Sequence, residues 1–179
     1  MLNRARIQNF IRLNFFIKNL KGFTLIEVIT AIFIITIGAG GAITLINQTV
    51  GFTQETSSKL IASYLAQEGI EIVKNIRDSN FLKVYKTGIG DWADGLMNCS
   101  SGCEGDYTSN NLSSCTDQKL KTDAEGTFYN YSLEKDTPFS RKITITQEGN
   151  ILKVLVEVFW NEKGRDYDFS AQENLYKWW

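Results

Sequence analysis

After Glu27 the chain runs through 27 positions without a charged side chain, as far as Glu55. The first part of that run, VITAIFIITIGAGGAITLI, is almost wholly apolar and long enough to cross a bilayer as a helix. Thr30, Thr36 and Thr44 do not break such a span, because a threonine hydroxyl can return to a carbonyl of its own helix. Gly38, Gly40 and Gly41 each lower helix stability relative to alanine and mark a soft point. The following stretch, SSKLIASYLAQEGIEIVKNIRDSN, changes to a two-sided pattern. Ile61, Leu65, Ile72 and Ile76 recur at helical spacing, flanked by Ala62, Ala66, Ile70 and Val73, while Lys59, Gln67, Glu68, Glu71 and Lys74 turn elsewhere. No proline separates the two stretches, so a single helix from about Phe23 to Asn80 is the simplest expectation, with a break near Gly51 as the alternative.

From Phe81 to Glu125 periodicity fades into Gly, Ser, Asn and Asp, which reads as a long loop with one short element around FLKVYK. Strand signals then arrive together: TFYNYSLE alternates aromatics, RKITITQE sets Ile143 and Ile145 on one face, and ILKVLVEVFW sets Leu152, Val154, Val156, Val158 and Trp160 on one face. Gly149-Asn150 and NEKGRD supply turns, and DYDFSAQENLYKWW supplies a last edge strand. A sheet with one apolar face and a helix with one apolar stripe complete each other, so the expected class is α+β: a long N-terminal helix packed on an antiparallel sheet. The pattern divides the chain into a leader (1–22), a membrane-length half-helix (23–50), an amphipathic half-helix (51–80), a loop region with the cysteines (81–126) and a sheet (127–179).

Charge changes this picture at the front end. Residues 1–22 carry Arg4, Arg6, Arg12, Lys18 and Lys21 and no acid; the remaining 14 basic residues face 20 acids, so the body sums to -6. A basic head before an apolar helix fits a chain whose first residues stay on the cytoplasmic side of a membrane, and an acidic body argues against nucleic acid as a partner. Cys99, Cys103 and Cys115 all fall in the polar loop, which reads as one disulfide and one leftover thiol in an exported, oxidising setting; spacing does not say which two pair. Zinc is the weaker reading, since the chain has no histidine. Asp91 and Asp94 of DWADG, with Glu104 and Asp106, form a candidate calcium loop, but the EF-hand spacing is absent and a solvated acidic loop is the blander reading. Otherwise no cofactor is expected. Trp92, Trp160, Trp178 and Trp179 are expected to pack, and no nucleophile-base pair points to an enzyme.

One carboxylate inside a greasy segment needs an explanation, because a charge at the bilayer centre costs about 2.5–3.5 kcal/mol. A secretory signal peptide places its small cleavage residue after the apolar region. Here Gly22 comes before it, so a cut at that point would discard the basic leader and keep the helix. That order, together with the hexapeptide GFTLIE at residues 22–27, resembles the leader motif of type IV prepilins and the pseudopilins of type II secretion. The resemblance covers residues 21 to about 50; the helix-then-sheet layout beyond is similar to the family's lollipop fold.

The resemblance implies that a prepilin peptidase, a membrane aspartic protease, cuts between Gly22 and Phe23 and N-methylates Phe23. It implies that Glu27 meets the Phe23 amine of a neighbouring subunit during assembly, and that the chain is a minor pilin or pseudopilin working with other such subunits and an inner-membrane assembly platform. Its place would be the cytoplasmic membrane, then an extracytoplasmic filament. The absence of proline from the span departs from many major pilins, and Gly38, Gly40 and Gly41 stand in as the soft point. A bland reading takes Glu27 as a helix-start residue at the membrane surface, and another keeps FIRLNFFIKNL as an amphipathic surface helix. The functional alternative is a single-pass anchored adhesin that does not polymerise.

Overall fold

The computed structural model describes residues 22–177; the basic leader through Lys21, and Trp178 and Trp179, lie outside them. The order of elements is one helix, α1 (Leu25–Thr87), a short 3-10 turn at Met97–Cys99, and seven strands, all antiparallel in their pairings. The chain divides into two compact units between Val50 and Gly51.

In the first unit every described position is exposed, although most are apolar. Thr30, Thr36 and Thr44 send their hydroxyls to the carbonyls of Glu27, Phe33 and Gly40 at 3.0, 2.8 and 3.0 Å, as a helix in a dry setting requires. The helix passes Gly38, Gly40, Gly41 and Gly51 unbroken. By length and composition α1 can cross a membrane.

In the second unit the amphipathic stripe of α1 packs on the sheet. Ala62, Leu65, Ala66, Ile70, Ile72, Val73 and Ile76 enter one core with Ile143, Ile145, Leu152, Val154, Val156, Val158 and Trp160. At Gly69 the helix comes so near the sheet that a Cβ would lie 2.9 Å from a Val156 methyl, so glycine lets it approach this far. Lys74 bridges Glu173 at 2.9 Å and Glu71 at 3.1 Å, tying the helix to the last strand.

The sheet is built on a meander of three long strands, β5 (Lys135–Glu148), β6 (Ile151–Glu162) and β7 (Arg165–Tyr176). Gly149 at φ 61° turns β5 into β6, and Lys163 and Gly164 at φ 53° and 77° turn β6 into β7. The other edge of β5 takes β1 (Cys103–Glu104) and β3 (Lys119–Thr122); β2 (Ser113–Ser114) extends β1 and β4 (Tyr129–Asn130) extends β3.

Three expectations are corrected. The helix does not stop at Asn80 and FLKVYK is not a separate element: Phe81 is buried and stacks on Trp92 with ring centroids 5.8 Å apart, and α1 continues to Thr87. Gly88 ends it in the left-handed region (φ 68°) with its N–H on the Val84 carbonyl at 2.8 Å. The sheet does not wait for residue 127, because β1, β2 and β3 lie inside the stretch expected to be loop. TFYNYSLE forms only the two-residue β4, because the Asn130 side chain accepts the Ser132 and Leu133 N–H groups at 2.9 Å each and turns the chain away from the ladder.

Candidate processing and assembly site

Gly22, Phe23 and Thr24 precede the helix, and all three are exposed. Thr24 accepts the Glu27 N–H on its hydroxyl at 3.3 Å and on its carbonyl at 3.1 Å, so it caps the first turn. The Gly22–Phe23 peptide bond therefore lies just outside helical structure. A Cβ at Gly22 would meet nothing within 4 Å, so this fold does not itself demand glycine there.

Glu27 sits in the first turn, where the positive end of the helix favours an acid. Its side chain meets no donor or cation among the described residues, and residues 28–54 hold no charged side chain. The cap at Thr24 went unnoticed in the sequence, although T-x-x-E ahead of an apolar run is a capping-box signature that would have found it.

The candidate acids of the loop do other work. Asp91 and Asp94 fold DWADG on itself, accepting the Ala93 N–H at 2.8 Å and the Asp91 N–H at 3.0 Å. Glu104 and Asp106 are not solvated but buried. Glu104 accepts the N–H groups of Thr116 and Gln118 at 3.0 and 2.9 Å, and Asp106 accepts the N–H groups of Thr108 and Tyr131 at 2.9 and 3.2 Å. Among the described residues no group of three or more His, Cys, Asp or Glu is placed to hold a metal ion.

Cys99 and Cys103 form the disulfide, both inside the core, and Cys115 keeps a free thiol. Cys115 pairs by its N–H with the Gly102 carbonyl and aims its sulfur at Glu104, the face of β1 opposite to Cys103. Burial, the largest effect, pushes the Cys115 thiol up; a hydrogen bond from the Asp117 backbone opposes the rise, and the charges of Glu104 and Asp117 add to it. The bridged cysteines lie only four positions apart, a small loop for which chain entropy yields about 2 kcal/mol. A Cys99→Ser chain is accordingly expected to unfold at lower urea by that amount of stability, which a denaturation curve with and without reductant would check.

Sequence reasoning also missed Arg141. Its guanidinium is buried, donating to the Leu65 carbonyl at 2.9 Å, Glu68 at 3.0 Å and the Gly105 carbonyl at 2.6 Å, and so joins α1, β5 and the loop after β1. No local signal marks it, because its partners are distant in sequence. Burial pushes the neighbouring Tyr131 phenol up to about 12; Arg141 opposes the rise while Glu104 and Asp106 add to it, which sets these groups in one neighbourhood.

A family model described as the prokaryotic N-terminal methylation motif matches residues 17–43. No curated protein and no solved structure matches the chain. The matched stretch contains Gly22, Phe23, Thr24, Glu27 and most of the exposed apolar half of α1, and it supports a type IV prepilin or pseudopilin.

Proposed function

We propose that the chain is a structural subunit, a minor pilin or pseudopilin, of a type IV pilus-like or type II secretion-like filament. A prepilin peptidase removes residues 1–22, Phe23 becomes a methylated N-terminus, and the trimmed chain waits in the cytoplasmic membrane for an assembly platform to extract it. The observation that carries this reading is the methylation motif lying on a helix whose apolar first half is wholly exposed, with Glu27 as its only charge. A surface of that kind needs lipid or copies of itself. Trimming creates an ammonium near Glu27, and methylation keeps it charged. Each charge is costly alone in a low-dielectric bundle, and pairing Glu27 with the amine of an adjoining subunit neutralises both. The part is structural, not enzymatic: the force and the proteolysis come from other proteins.

Gly22 is open to an enzyme that reads this position, since a Cβ there would meet nothing within 4 Å. Mass spectrometry of the protein recovered from membranes should find a chain beginning at Phe23 and heavier by one methyl group. A chain that starts at Met1, or beyond Val50, would end this reading.

A further inference from the structure

Three aromatic side chains from three different elements stand in the open on one face of the second unit. Tyr64 of α1, Tyr107 after β1 and Phe128 before β4 are 61%, 50% and 57% exposed. With Tyr129, Glu68 and Thr127 they line a cavity of about 450 Å³. The rings are not loose. Asp106 accepts the backbone N–H and the hydroxyl of Thr108 at 2.9 and 2.6 Å, which fixes the turn that carries Tyr107. Asp123 accepts the N–H groups of Thr127 and Phe128 at 2.7 and 3.2 Å, which fixes the turn that carries Phe128. The Tyr107 and Phe128 rings lie 6.1 Å apart and tilted by 48°, so they form two walls of a corner instead of a closed stack.

The one charged side chain that lines this corner is an acid, Glu68. No lysine or arginine lines it. Arg141, behind it, is already met by Glu68, whereas Glu104 and Asp106 in the same neighbourhood are held by backbone N–H groups and threonine hydroxyls, which carry no charge. Glu68 and Arg141 offset one another, and Glu104 and Asp106, which share the Tyr131 neighbourhood with Arg141, add two negative charges. Aromatic faces under a negative potential attract cations. Hydrogen bonding narrows the class: the one lining carboxylate, Glu68, is already engaged by Arg141, so an ammonium with N–H donors would have to compete for it, whereas a cation without donors needs only the ring faces. A cation with no donors at all fits best.

We propose that this cavity binds a quaternary ammonium group, the trimethylalkylammonium of a choline-type small molecule, against Tyr64, Tyr107, Phe128 and Tyr129. The site is separate from the filament reading, and neither depends on the other.

The test titrates the full chain, in a non-ionic polyoxyethylene detergent, with choline and with its neutral isostere 3,3-dimethylbutan-1-ol, by calorimetry. Choline is expected to bind saturably and at least about tenfold more tightly than the isostere. Phe128→Leu keeps an apolar side chain but removes a ring, and it should weaken choline severalfold while leaving the isostere unchanged; Tyr64→Leu should do the same. Both positions are exposed, so neither change threatens the fold. Absence of saturable choline binding, equal binding of the isostere, or choline affinity unaltered in both leucine variants would each overturn the proposal. Methylammonium binding as tightly as choline would overturn the quaternary assignment.

Discussion

Arg141→Ala is expected to cost the second unit about 3–5 kcal/mol, the usual penalty for removing one member of a buried ion pair. The guanidinium ties α1, β5 and the Gly105 loop together through Leu65, Glu68 and Gly105. Without it the Gly105 carbonyl loses its donor in a dry place, and Glu68 keeps a charge with nothing to balance it. A drop in the urea midpoint of about 2 M, followed by near-ultraviolet circular dichroism, is the readout. Arg141→Met combined with Glu68→Met should recover part of the loss, because an apolar pair of similar volume needs no partner. A single Arg141→Ala change that shifts stability by less than about 1 kcal/mol would show that the guanidinium is not holding these elements together.

Glu27→Val is expected to leave trimming at Gly22 intact and to cut incorporation into filaments about a hundredfold, since a stranded buried ammonium costs about 3 kcal/mol or more and each 1.4 kcal/mol is a factor of ten. Valine keeps the segment apolar and helical, so membrane insertion should not suffer. Only the neutralising carboxylate disappears. The measurement compares variant and parent in sheared filament fractions and in membranes: the variant should accumulate in membranes with Phe23 as its first residue. Equal amounts of both proteins in the filament fraction would remove Glu27 from assembly, and the reading of the chain as a polymerising subunit would lose its physical basis.

Much of this arrangement was legible in the sequence, for identifiable reasons. A membrane-length helix constrains every residue it contains, so 27 uncharged positions leave little alternative. The meander was legible because each of its faces repeats with period two and its first turn needs the left-handed φ that Gly149 supplies. What escaped was decided by single side chains. Asn130 ends a strand that its aromatic neighbours advertise. Phe81 looked like the start of a loop until Trp92 gave it a stacking partner 11 positions later. Arg141 and its acceptor Leu65 lie 76 positions apart, and the pairing of Cys99 with Cys103 brings the 3-10 turn onto β1, which spacing alone does not show. Thr24 is the exception: its role was written locally, in the T-x-x-E spacing.

The outer strand β7 carries a further consequence. It pairs only with β6 among the described residues and has no proline along 12 positions, so its far side is a ready template for accretion of other extended chains. Asp166, Asp168, Ser170, Gln172 and Asn174 occupy its alternate exposed positions. Acids and amides are poor strand formers, and a row of them acts as a gatekeeper against fibril growth at the one edge where stacking would otherwise be easy.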